Sequence, residues 1–123
     1  MGACVLLLHE LSDGDSHYDW LIEPDRPADA PLLAFRIQDR IDLSIVPTFQ
    51  AERIADHRRI YLAYQGPISR NRGRVRRLAE GRLALEQQSD AALIASGRLG
   101  AIDAAFSGRL IADGRWTFQM KPA

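Results

Sequence analysis

Cysteine occurs once in this chain of 123 residues, at Cys4, so an internal disulfide is excluded and a reducing compartment, the cytoplasm, is expected. Beside apolar neighbours, Cys4 reads as a buried, inert thiol. Lysine also occurs once, at Lys121, although the chain carries sixteen basic residues. Long apolar runs are missing. Ala3 to Leu8 is far too short to cross a membrane, has no basic segment before it and runs into His9 and Glu10. Neither a membrane span nor a signal peptide is therefore expected. No P-loop, dinucleotide fingerprint, Cys-x-x-Cys pair or Gly-x-Ser-x-Gly elbow is present. Repeats and low-complexity tails are absent as well. With 46% apolar and 26% charged residues, the chain is expected to form one domain over 1–123 with an ordinary core.

The formal net charge is zero, but the charges are segregated. Between His9 and Pro31 stand seven acids (Glu10, Asp13, Asp15, Asp19, Glu23, Asp25 and Asp29) against Arg26 alone. Between Arg53 and Arg82 stand nine arginines against Asp56 and Glu80. A surface built for solubility alone would mix its signs. Separated charge points to an anionic partner on the basic side and a cation on the acidic side. Arginine's planar fork suits bidentate phosphate recognition, although GC-rich coding would give the same bias.

Short apolar segments dominate the chain. Ala3 to Leu8, Tyr18 to Ile22 and Leu32 to Ile37 read as strands, the first two pairing as a hairpin around the Asp13-Gly14-Asp15 turn. Pro24 to Pro31, with three prolines, reads as an exposed loop, and Ile41 to Pro47 as irregular. Phe49 to Ala55 is expected to form one or two helical turns, and Arg59 to Tyr64 a strand. Arg74 to Leu78, Arg82 to Gln87, Ala91 to Arg98, Ala104 to Ile111 and Arg115 to Lys121 read as further strands. Leu78 to Ala95 has a composition that a helix would also accept. Short strands with turns every 8 to 12 residues indicate a mainly β fold, a single-domain antiparallel β-barrel with one or two short helical turns, or a sandwich. Trp20 and Trp116 read as core.

The three histidines, His9, His17 and His57, all lie beside apolar, strand-like segments. In a strand, His17 and Asp19 project from one face and converge. Imidazole and carboxylate together suit a transition metal such as Mn, Zn or Fe. The spacing therefore raises a His9/His17/Asp19/His57 cluster around one divalent ion, with Asp13 and Asp15 as further oxygen donors. Hydrogen-bonded structural histidines and a simple turn are the plainer alternative. Arg70, Arg72, Arg74 and Arg76 alternate, with Arg77 beside them. If extended, they form a row of guanidinium groups that needs an anion against it, or else guards a sheet edge. Tyr61, four residues from His57, shares its strand parity and either reaches the same site or fills the core.

Three segments carry a resemblance. His9 ends an apolar strand and is followed by His17-Tyr18-Asp19-Trp20-Leu21-Ile22-Glu23. Asp56-His57-Arg58-Arg59-Ile60-Tyr61-Leu62-Ala63-Tyr64-Gln65-Gly66 is the second, and Gly73 and Val75 leading to Glu80-Gly81 the third. In combination, residues 3 to 82 resemble the 3′-phosphoesterase domain found at the N-terminus of bacterial ligase D proteins and as small stand-alone proteins. The resemblance implies a compact barrel with a Mn²⁺-dependent site that trims nucleic-acid 3′ ends, removing a terminal ribonucleotide and then the 3′-phosphate in DNA repair. It carries the metal-ligand role onto His9, His17 and Asp19, a phosphate or transition-state role onto His57, and a supporting role onto Tyr61. A repair ligase or polymerase is the partner it implies.

Three departures stand out. The loop between His9 and His17 is two residues longer than in the family. Leu21 stands where the family has a phosphate-engaging arginine, and Ala55 stands where it has an acid. The expectation is a divergent phosphoesterase in which the arginines Arg70, Arg72, Arg74 and Arg76 hold the strand. A catalytically silent nucleic-acid or phosphate-binding barrel, and a small-ligand metalloprotein, are the alternatives.

Overall fold

The computed structural model describes residues 1–25 and 29–123, so the middle of the Pro24–Pro31 loop lies outside the described residues. Among the described residues, nine strands run β1 (Gly2–Glu10), β2 (Ser16–Ile22), β3 (Leu32–Ile37), β4 (Thr48–His57), β5 (Gly66–Pro67), β6 (Arg74–Gln88), β7 (Ala92–Leu99), β8 (Ile102–Ala112) and β9 (Arg115–Pro122). They form one antiparallel sheet in the order β1-β2-β3-β4-β9-β8-β7-β6-β5, and β1 also pairs with β6. Eight strands thereby close into a barrel-like ring. No helix among the described residues is long and apolar enough to cross a membrane. The expected β1–β2 hairpin forms, with His9 opposite His17.

The ring is filled by aromatic rings. Trp20, Phe35, Phe49, Phe106, Trp116 and Phe118 are all buried, with Phe49 and Phe118 stacked at 5.1 Å and Trp20 tilted against Phe106 at 4.8 Å. Cys4 lies in the same core, and burial pushes its thiol up to about 12 against the lowering pull of Arg82. At one end Ile41 is fully buried, and buried Asp42 is held by a bidentate pair with Arg40 at 2.8 and 2.7 Å.

A second, smaller core lies on the outside of the ring. Val5, Leu7, Leu21, Leu32, Ala34 and Val75 are buried there, under Ile54, Tyr61, Leu62, Tyr64 and Ile68. These covering residues come largely from the segment between β4 and β6. That segment contains a short 3₁₀ turn, Arg59–Leu62, where alternation suggests a strand. The turn lays Tyr61 and Leu62 on the sheet and leaves Ile60 58% exposed. It is tied down through Arg59, which pairs with Glu23, whose carboxylate also accepts from Ala3 N–H.

Two further expectations are corrected. Phe49 to Ala55 is strand, not helix: Gln50, Ala51, Glu52 and Arg53 favour helices in isolation, but pairing to β3 and β9 on both sides overrides that weak preference. Arg74–Leu78 and Arg82–Gln87, read as two strands, are one continuous strand, β6; the strand reading of Leu78 to Ala95 holds despite its helix-like composition, with a turn at 89–91 between β6 and β7. Two bulges control which residues face outward. Between Leu6 and Leu7 of β1, β6 advances from Ala79 to Arg77, leaving Leu78 as an extra residue. The shift lets Val75 face the outer core while Leu83 faces the inner one. On β4 the steps from Ile54 to His57 oppose only Ala34 to Leu32 of β3. That turns His57 to the outer face.

Candidate metal centre

The outer face of β1 and β2 reads Val5, Leu7, His9 on one strand and Leu21, Asp19, His17 on the other. Alternation puts each set on one side, and the pairing of Leu7 with Asp19 and His9 with His17 brings them together. The apolar end lies under the 3₁₀ turn. The polar end forms a cluster in which one ligand atom from each of His9, His17 and Asp19 lies within 4.8 Å of the others. His17 is 5% exposed and Asp19 1%. Among the described residues, His57, Asp13 and Asp15 do not belong to this cluster, so the four-ligand arrangement reduces to three. The oxygen-ligand role of Asp13 gives way to a turn: its Oδ1 accepts from Asp15 N–H at 2.9 Å.

The polar atoms of the cluster are short of partners. Among the described residues, Nδ1 and Nε2 of His17 and Oδ1 of Asp19 are buried without a hydrogen bond. His17 Nδ1 and Asp19 Oδ1 stand 2.9 Å apart but are not aligned to share a proton. His9 Nε2 lies 2.9 Å from the Arg72 carbonyl. A carbonyl only accepts, so Nε2 carries a hydrogen, and in the neutral ring Nδ1 turns its lone pair toward Asp19 Oδ2 at 3.3 Å. A carboxylate also only accepts. Lone pairs that face one another across a buried gap call for a proton or a cation between them. The same pull appears in the proton affinities. Asp19 raises the pKa of His9 above the usual imidazole value, helped by the Arg72 carbonyl and opposed by burial. Burial pushes the Asp19 carboxyl up, but the two histidines outweigh it and hold the group at about 2. Two imidazoles and a carboxylate with unpaired donor atoms fit a first-row divalent ion.

The cluster opens into a cleft of about 550 Å³ lined by His9, Asp19, His57, Tyr61, Arg70 and Arg72, among others. The β4 bulge aims His57 here. Its Nδ1 donates to the Ala55 carbonyl at 2.9 Å, which leaves Nε2 free. Ala55 thus holds the ring through its backbone carbonyl, its side chain offering no polar group. Tyr61 reaches the cleft from the 3₁₀ turn rather than by strand parity, with its ring edge-on to His57 at 5.7 Å. The Arg58 guanidinium lies 5.9 Å from the centre of the Tyr61 ring.

The arginine row does not form one face. Arg70 and Arg72 sit on the lip between β5 and β6 and line the cleft. Arg74 and Arg76 are on β6, alternating with Val75, so they point away from the outer core and the cluster. Leu21 is fully buried in that outer core, where an arginine would displace packed side chains.

Two arginines escaped the sequence reading. Arg58 lines the cleft. Arg36 is the register partner of Asp19 on β3, and its charge lowers the pKa of His9. A lone arginine within the apolar run Leu32 to Ile37 was the available signal for the second; Arg58 had none beyond adjacency to His57.

No protein-family model matches the chain, and no curated protein matches it at a significant level.

Proposed function

We propose that this protein is a divergent metal-dependent phosphoesterase that processes the 3′ ends of nucleic acid, removing a 3′-phosphate or terminal ribonucleotide in cytoplasmic DNA repair. The observation that carries the reading is the meeting, in one cleft, of a buried His9/His17/Asp19 cluster with unpaired lone pairs and arginines that make no ion pair among the described residues. Among the described residues, Arg58, Arg70 and Arg72 make no ion pair, whereas Arg36, Arg40, Arg53, Arg59, Arg77 and Arg98 each have one. Cations left free around a cleft attract an anion.

His9, His17 and Asp19 would hold the ion, which the resemblance makes Mn²⁺. When bound, such an ion neutralises phosphoryl charge and lowers the pKa of water. The remaining work belongs to the chain. Arg58 and Arg70 lie where they can neutralise phosphate oxygens. His57 has its Nδ1–H committed to Ala55, so Nε2 is the atom that exchanges a proton or hydrogen bond with the developing charge. Tyr61 limits the rotation of that ring by edge contact. Arg74 and Arg76, on the other face, add general attraction for polynucleotide, and binding weakens as salt rises. A repair ligase or polymerase would take over the resulting 3′-hydroxyl.

Incubation with a 3′-phosphate-terminated primer-template in Mn²⁺, beside His17→Ala, tests the reading. Phosphate release by the parent and not by the variant is expected. Equal activity on uncharged esters, or no release from any 3′-phosphate, would overturn it. One observation favours a second reading, a silent nucleic-acid-binding barrel. The position of the family's phosphate-engaging arginine is occupied by Leu21, packed where no charge can stand. Salt-sensitive duplex binding with no turnover in any divalent metal would select it.

A further inference from the structure

We propose that Arg72 is a positioning residue for the metal centre rather than a phosphate contact, and that Arg70 is the lip arginine that meets the anion. The inference rests on the reading of His9, His17 and Asp19 as metal ligands. It divides a row of arginines that look equivalent in the sequence.

The Arg72 guanidinium is already engaged. Its Nε donates to the Ser69 carbonyl at 2.9 Å and its Nη2 to Ser69 Oγ at 3.1 Å. These bonds close the turn Ser69–Arg72 on itself. Inside that turn Arg70 and Asn71 take left-handed backbone angles, φ 63° and 56°. Asparagine tolerates that region, but an arginine stays there only where its surroundings impose it. The turn is anchored at its base as well. Ile68 N–H donates to the Gly73 carbonyl at 2.8 Å. Gly73, at φ +89°, is pressed so closely on β1 that a Cβ would stand 1.9 Å from the Glu10 carbonyl oxygen.

All of this fixes one atom, the Arg72 carbonyl oxygen, at 2.9 Å from His9 Nε2. That contact sets which nitrogen of His9 carries the hydrogen and which offers its lone pair to the cluster. A metal-binding histidine is commonly oriented through its second nitrogen in this way. The side chain of Arg72 therefore acts on the metal site through the backbone it staples. Arg70 differs: it lines the cleft, and its guanidinium has no hydrogen bond or ion pair among the described residues.

Charge makes the proposal separable from a simple electrostatic role. By charge alone, deleting a cation beside a metal site should strengthen cation binding. A positioning role predicts the opposite sign. Two titrations of the full chain test it. Mn²⁺ affinity is measured by calorimetry, and affinity for a 3′-phosphate duplex by fluorescence anisotropy in EDTA. Arg72→Ala is expected to weaken Mn²⁺ binding by about tenfold or more while leaving metal-free duplex affinity near the parent's. Arg70→Ala is expected to leave Mn²⁺ affinity unchanged or slightly higher and to weaken duplex binding several-fold. Ser69→Ala removes one of the two staples, keeps all charges and should lower Mn²⁺ affinity by a smaller factor. Melting of each metal-free protein checks that the fold is intact, and Ser69→Ala carries the test alone if Arg72→Ala does not fold. Unchanged or tighter Mn²⁺ binding in both Arg72→Ala and Ser69→Ala overturns the proposal and leaves the metal centre standing. No Mn²⁺ binding by the parent overturns the metal centre itself, and this inference with it.

Discussion

The outside of the ring differs sharply between its two halves. Over β1, β2 and β3 a second layer lies on the sheet, and the outward residues Val5, Leu7, Leu21, Leu32 and Ala34 are as buried as those facing inward. Over β7, β8 and β9 there is no such layer among the described residues. Outward positions there are Ser96, Arg98, Asp103, Ser107 and Gln119, and the strands alternate buried and exposed. That open half carries the larger groove, about 760 Å³ against 550 Å³, yet its lining includes no histidine. Size is a poor guide to chemistry in this molecule. Under the covering layer an unpaired polar atom is costly, so His17 and Asp19 there require an explanation that Asp103 or Ser107 in solvent does not.

Four measurements would sharpen or break this contrast. The largest effect is expected on metal binding. Asp19→Ala should lower Mn²⁺ affinity by more than about 100-fold, since on the proposed reading it removes a ligand rather than a supporting group. Asp103→Ala, on the open half, should leave it unchanged. Equal behaviour of the two would mean that the covered acid has no special role.

Next comes packing. Leu21→Ala, fully buried in the outer core, should cost about 2 to 5 kcal/mol in urea unfolding. Leu110→Ala, 41% exposed on β8, should stay within about 0.5 kcal/mol. Similar losses would show that the covering layer adds little.

Glycine offers a third pair. A Cβ added at Gly14, where φ is +94°, would meet nothing within 4 Å, so Gly14→Ala should cost only backbone strain, about 1 to 2 kcal/mol. Gly73→Ala adds a backbone clash with Glu10 and should cost clearly more, shifting the melting temperature further and weakening Mn²⁺ binding along with it.

The smallest effects are electrostatic. Asp19 is held at about 2, below its ordinary 3.8, so its contribution to the metal-free fold is present above about pH 3.8 and is lost as pH falls through about 2. Acid unfolding of Asp19→Asn should lack that limb. Breaking the exposed Arg98–Asp103 pair, at 3.1 Å, should change stability by less than about 1 kcal/mol at any pH, as a solvent-screened pair allows.

Much of the fold was legible beforehand because its signals are local. Alternation in Ala104–Ile111 and Arg115–Lys121, and the unbroken apolar runs of the first three strands, follow from the two-residue period of a strand buried on one face or on both. The candidate site was legible for the same reason where it lies on two paired strands. His17 and Asp19 share parity, and His9 is one hairpin turn away. What failed were segments whose conformation depends on distant partners. Phe49–Ala55 has helix-forming composition but two sheet neighbours, and Arg59–Tyr64 alternates like a strand yet folds into a turn because it caps an apolar sheet face. The arginine row failed similarly. Whether Arg70 and Arg74 share a face depends on a turn with two left-handed residues that no alternation count reveals.

The amino-acid sequence by itself determined the β character, the inward parity of Trp20 and Trp116, the single buried thiol and the convergence of His17 with Asp19, all set within a few residues along the chain. Tertiary structure alone decided that β1 pairs with β6, placing His9 opposite Val75 and bringing the basic segment over the acidic one. It also decided that a bulge turns His57 into the cleft, and that Arg72 reaches His9 through its backbone while Arg74 and Arg76 face away. Strand parity is fixed by adjacent residues, whereas ring closure, bulge position and lip geometry are settled only when segments far apart in the chain pack together.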